Sequence, residues 1–191
     1  MNKNKEMKQG VVNAIKEWMN EYAYVDNVCR LYHYYDKQLD NSKEPNIIGL
    51  TCTSVYENLI VSLAKFFNIK KSKEDSEMYV ECEVLKKCIN NADVFKINEA
   101  GRTQLNHYDS LWNSKDYKEF ITNIKTRRDT QYAHKDKDKH ETVRNYYVWL
   151  ILSNLKRMLN DLSSLFDAGS IIDEKSIISG LENENEFLNI K

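Results

Sequence analysis

The chain has almost no backbone punctuation. Five glycines and one proline in 191 residues leave few places for left-handed turns or a locked φ, so helices joined by short polar connections are the default. The glycines are scattered, which excludes the clustered loops that cradle nucleotide phosphates. Among the four cysteines, Cys29, Cys52, Cys82 and Cys88, there is no Cys-x-x-Cys pair, so zinc held by cysteine spacing is not expected. Most of them fall in apolar helical patterns, as reduced, buried thiols of a cytoplasmic protein do. A charge excess of one sign is also missing. Twenty-eight basic and 29 acidic side chains give a net charge of −1, so any polyanion contact must rest on a local patch. The greasiest run, YYVWLIL at 146–152, is far shorter than the roughly 20 residues that span a bilayer. Met1 to Gly10 is charged and no apolar run follows it, unlike a secretory signal. The expectation is a cytoplasmic chain without a membrane partner.

What is present is helical periodicity. A length of 191 residues suits one domain with a proper core. Val12, Ile15, Met19, Tyr22, Val25, Cys29, Tyr32 and Leu39 recur at three- and four-residue steps and predict a helix over about 5–39. It stops at DNSKEP, where Pro45 suits the first turn of a second helix over about 46–68, with Cys52, Val55, Leu59, Leu63, Phe66 and Phe67 on one stripe. NIKKSKEDSE reads as a connection, with Ser72 or Asp75 as N-cap of a helix near 76–90. Residues 91–113 hold one or two short helices, and 115–134 a longer one. The last strong helix, about 141–166, has Val143, Tyr147, Leu150, Ile151, Leu155, Met158, Leu162 and Phe166 in the best stripe of the chain, closed by Ala168-Gly169-Ser170. No alternating strand pattern stands out. The predicted architecture is all-α: an up-and-down bundle of four to five main helices over residues 1–167. Residues 168–191 form a tail or short accessory helix.

Chemistry concentrates in RRDTQYAHKDKD, residues 127–138. On an unbroken helix Arg128 and His134 stand about 9 Å apart along the axis and about 120° apart around it. They border one groove without pointing at each other, so convergence needs a kink, the reach of arginine, or a second copy across a two-fold axis. Histidine exchanges protons near neutrality and arginine offers a permanent cationic fork for phosphate. Together they suit phosphodiester cleavage without a metal, and for RNA the ribose 2′-hydroxyl is already the nucleophile. Asp129 can hold a guanidinium or orient an imidazole. The competing reading is a solvated helix end, where basic residues complement the dipole. His134, Asp136, Asp138 and His140 could be drawn as a metal site, but lysines alternate with them and oppose it by repulsion. His33, and His107 with Asp109, read as ordinary helix or loop residues. The dense tyrosines Tyr22, Tyr24, Tyr32, Tyr34 and Tyr35 read as packing groups rather than RNA-stacking platforms.

The segment RDTQYAH, with an aspartate two places later at Asp136, resembles the signature of the HEPN superfamily: an arginine followed by a polar residue, then a histidine after four to six residues. Arg128, Asp129 and His134 fit it with five residues between. Arg127 fits the spacing but lacks the polar follower. The Ala-His-x-Asp ending, and SVYENLIVSLAKFFN at 54–68 as an earlier helix, resemble the abortive-infection branch. The resemblance spans roughly 46–166 and implies a HEPN-like bundle acting as a metal-independent endoribonuclease, a toxin or phage-defence component that needs no cofactor. It implies a homodimer in which two motifs share one cleft, with RNA as substrate and a cognate antitoxin as a further partner. Catalytic roles fall to Arg128, His134 and Asp129, with Arg127, Lys135 and Tyr132 as RNA contacts. Some members of the superfamily have lost activity. The alternative is therefore a non-catalytic module binding RNA, a nucleotide or a partner protein through the same surface.

Overall fold

In a computed structural model of the chain, residues 3–39, 43–71, 78–133 and 145–169 are described. Among them are six helices and two strands. They run in the order α1 (Lys3–Gln38), α2 (Pro45–Ala64), β1 (Phe67–Lys71), β2 (Met78–Cys82), α3 (Glu83–Asn90), α4 (Glu99–Asn113), α5 (Lys115–Ala133) and α6 (Asn145–Leu165). The protein is all-α in class, a helical bundle carrying one small hairpin.

The α1 stripe is the one its periodicity predicts. Ile15, Met19, Tyr22, Val25 and Cys29 are buried, and α1 packs on α2, α3 and α6. Leu39, placed at the end of the same stripe, is exposed. Pro45 opens α2, where the helix needs no N–H from it. The C-terminal half of α2 buries Leu59, Ile60, Leu63 and Ala64, while Ile47 and Leu50 near its start are exposed. Among the described residues, α2 is long and apolar enough by length and composition alone to cross a bilayer; it packs here against α1 and α5.

The expected helix over 76–90 is corrected by the structure. Met78–Cys82 is a strand, paired antiparallel with Phe67–Lys71 in the register Phe67↔Cys82, Ile69↔Val80 and Lys71↔Met78. Phe67, Val80 and Cys82 face the core. The outer edge of β2 is covered by a side chain acting as a strand: Val80 N–H donates to Asn113 Oδ1 at 2.9 Å, and Asn113 Nδ2 donates to Val80 O at 3.0 Å. That covering stops the hairpin from templating another chain at this point. α3 begins only at Glu83, with Cys82 at its N-cap. The proposed caps Ser72 and Asp75 lie outside the described residues.

The ambiguous stretch 91–113 resolves into α4, capped by Asn98, whose Oδ1 accepts from Gly101 N–H at 2.8 Å. At Gly101 a Cβ would stand 2.6 Å from Ile97 Cγ2 and 3.0 Å from Leu165 Cδ2, so glycine lets α4 approach α6 closely. The two helices are further tied by Trp112 Nε1 on Met158 Sδ at 3.3 Å and by Tyr108 donating to Asp161. In α6, Ile151, Leu155, Met158 and Leu162 are buried as predicted, but Leu150 is only partly covered. The inward stripe is centred on Leu155 and Leu159, and Leu150 sits at its margin.

Candidate functional site

α5 carries the site because its two faces have opposite jobs. Ile121 and Ile124 are fully buried, which fixes the rotation of the helix about its axis. At about 100° per residue, the neighbours Arg127 and Arg128 must then leave in different directions. Arg127 turns inward: its side chain is 13% exposed and its Nη2 donates to Glu57 Oε1 of α2 at 2.8 Å. Its guanidinium carbon lies 5.0 Å from the centre of the Tyr56 ring, a cation–π geometry. Tyr56 in turn packs on Tyr32 of α1, centroids 5.0 Å apart. Burial pushes the Tyr56 hydroxyl up to about 12, with the Arg127 charge opposing. This cluster joins α1, α2 and α5 beneath the surface.

Arg128 is half-buried, its side chain 29% exposed. Its Nε and Nη2 both donate to Asp129 Oδ1, at 2.8 and 2.6 Å, with the carboxylate side chain 63% exposed. An ion pair this accessible adds little to stability; what it supplies is direction, holding a long side chain in one place. One turn earlier, Lys125 Nζ donates to the carbonyl of Phe67 at the start of β1, at 2.8 Å. Burial, and next the Arg128 charge, hold the Lys125 ammonium below its ordinary pKa, with Asp129 opposing. Three cations therefore crowd two turns of α5, and each is anchored by a different acceptor.

Of the residues singled out in the sequence, Arg127, Arg128 and Asp129 are brought together on the penultimate turn of α5. His134 and Lys135 lie outside the described residues, as do the side chain of Tyr132 and the acidic and histidine positions 136–140. Arg127 is assigned to Glu57 and Tyr56 rather than to solvent. Sequence reasoning missed Glu57, Tyr56 and Lys125. Glu57 did leave a signal, for it is the one charged residue in PNIIGLTCTSVYENLIVSLA, and a lone charge in an apolar helix needs a partner. Lys125 left none, because its acceptor is a backbone carbonyl.

The remaining candidates are absorbed by packing. His33 meets Trp149 edge-on, centroids 5.8 Å apart, and His107 leans on Tyr108. Asp109 accepts from the Tyr79 hydroxyl at 2.7 Å. Tyr22 and Tyr34 are buried, Tyr34 packs on Tyr35, and the exposed Tyr24 takes a hydrogen bond from Asn58. All four cysteines are buried free thiols. Burial pushes Cys29 and Cys82 up to about 12, so neither is a nucleophile at neutral pH.

The family described as HEPN_AbiU2 matches residues 6–176, most of the chain. No curated protein and no solved structure matches it. The chain belongs to the AbiU2 family of HEPN proteins.

Proposed function

We propose that this AbiU2-family HEPN protein is a metal-independent endoribonuclease serving as a phage-defence or toxin component, with Arg128 and His134 as its catalytic pair. The observation that carries the reading is the half-buried Arg128, held in place by Asp129 six residues before a histidine. With Nε and Nη2 donating to Asp129, the guanidinium can still meet two phosphoryl oxygens through its Nη1–Nη2 edge and offset the charge that grows on them. His134 moves the proton. The ribose 2′-oxygen attacks phosphorus and gives up its proton to the base; the P–O5′ bond breaks, and a proton is delivered to the leaving 5′-oxygen. The products are a 2′,3′-cyclic phosphate and a 5′-hydroxyl, and no step calls for a metal. Two copies related by a two-fold axis bring two such motifs to one cleft, so that one histidine can serve as base and the other as acid.

The test is digestion of single-stranded RNA in EDTA, with Arg128→Ala, His134→Ala and Arg128→Lys beside the wild type. We expect cleavage by the wild type and loss of most of it in all three variants, the lysine included, because an ammonium lacks the planar fork. Replacing the 2′-hydroxyl at the cut site by hydrogen should block cleavage, and persistence would refute the mechanism. RNA bound but never cut would assign the chain to the non-catalytic members of its superfamily.

A further inference from the structure

A cleft of about 530 Å³ opens beside the first half of α5, with Met78 and Asn113 on one side and Lys115, Lys118, Glu119 and Thr122 on the other. It lies away from the Arg127–Glu57 cluster, and the reaction proposed above makes no use of it. At about 100° per residue, Lys118, Thr122, Lys125 and Asp129 fall within about 60° of one another around the helix. They form one row, with Lys115 flanking its start. Arg128 would leave that row, but the Asp129 carboxylate draws its guanidinium back toward it. The row therefore runs Lys115, Lys118, Lys125, Arg128 without a break in sign until Asp129, and it covers about 20 Å along the axis. Lys71, beside the cleft rather than in its lining, is exposed and pairs with Met78 across the hairpin. The six ion pairs among the described residues engage neither Lys115 nor Lys118. One acid, Glu119, also lines this cleft; it projects about 100° from Lys118 but only about 40° from Lys115.

We infer that this cleft and the basic row leading from it to Arg128 form a binding track for a single strand of RNA next to the cut site. The inference rests on the ribonuclease reading and extends it from one phosphate to a run of them. A row about 20 Å long is too extended for a mononucleotide and reaches several consecutive phosphates. Lys115 and Lys118 meet phosphates as point charges, while Met78, 41% exposed, offers an apolar surface to a base. A chain with a net charge of −1 can still meet a polyanion through a local patch of cations, here gathered along one helix.

The test measures binding rather than cleavage, using the full chain and a short 2′-O-methyl RNA of about 12 nucleotides, long enough to cover the row and without a free 2′-hydroxyl to attack. For Lys115→Gln/Lys118→Gln we expect the affinity at about 0.1 M salt to fall on the order of tenfold. The slope of log K against log salt should shrink by about 1.4, which is two phosphate contacts at about 0.7 each. Thr122→Glu, placing an anion in the cleft wall without removing a lysine, should weaken binding at least about fivefold. Lys3→Gln/Lys5→Gln, with the same change in net charge at the start of α1, should leave both quantities unchanged. Unaltered affinity and slope in the Lys115/Lys118 variant, while the wild type still cuts RNA, would overturn the track and spare the ribonuclease reading. Binding of the oligonucleotide through these lysines with no RNA ever cut would do the reverse. Equally tight capture of a polyglutamate peptide of the same length would reassign the row to an acidic protein partner and overturn the inference.

Discussion

Replacing Arg127 by alanine separates a structural role from a surface one. The side chain is 13% exposed and its partner Glu57 25% exposed. Removing it forfeits a charge-assisted bond at 2.8 Å and a cation–π contact worth about 0.5–2 kcal/mol. It also strands Glu57, whose Oε2 is buried without a hydrogen bond among the described residues. Breaking a fully buried pair from one side costs about 3–5 kcal/mol; partial exposure reduces this, so a loss of roughly 2–4 kcal/mol is expected. For a domain of this size that corresponds to a fall in Tm of roughly 4–16 °C. Urea denaturation of Arg127→Ala, Glu57→Gln and Arg127→Ala/Glu57→Gln gives the decisive comparison. The single changes should each be destabilising, and the double should recover about 1–3 kcal/mol of their sum. An Arg127→Ala protein within about half a kilocalorie of wild type, weakened only in RNA binding, would refute the inward role and restore Arg127 to the surface.

Three further outcomes follow from the packing. Gly101→Ala should destabilise by about 1–3 kcal/mol in denaturant titration, because the new methyl meets Ile97 and Leu165 at 2.6 and 3.0 Å; a neutral result would mean that α4 and α6 slide apart freely. Leu155→Ala and Leu59→Ala should each cost about 2–5 kcal/mol, whereas Leu150→Ala, at the margin of the stripe, should cost clearly less, and equal losses would misplace the bundle interior. Stability should fall at alkaline pH. Cys29 and Cys82 are held from the ordinary 9.0 up to about 12, so the unfolded chain releases their protons above about pH 9 while the folded one keeps them. Each thiol then contributes a slope of up to about 1.4 kcal/mol per pH unit. Lys125, held below 10.5, acts in the opposite direction, since its burial penalty is relieved as pH rises. The urea midpoint should drop between about pH 8 and about pH 10.5, and Cys29→Ala/Cys82→Ala should flatten that drop; equal midpoints in the wild type would refute it.

By itself the sequence determined the fold class, the long helices and the motif. Ile15–Met19–Tyr22–Val25–Cys29, or Ile151–Leu155–Met158–Leu162, buries the same face in any helical partner, because a period of about 3.6 residues is local information. Pro45 and the scarcity of glycine set the break and the long runs in the same local way. Tertiary structure decided the rest. Met78–Cys82 reads equally as helix or strand over so short a run; its pairing with Phe67–Lys71 and the Asn113 amide on its edge come from segments elsewhere in the chain. Leu150 fell to the margin of the α6 stripe and Leu159 into its buried centre because α4 and α1, not the period alone, define which side is inside. The local period places Arg128, seven residues after Ile121 and four after Ile124, nearer the buried stripe than Arg127, yet Arg127 is the more buried of the two. Glu57 and Tyr56, about seventy residues earlier, draw Arg127 inward and leave Arg128, itself half-buried, to Asp129, because a half-buried charge settles wherever a distant counter-charge has been brought within reach.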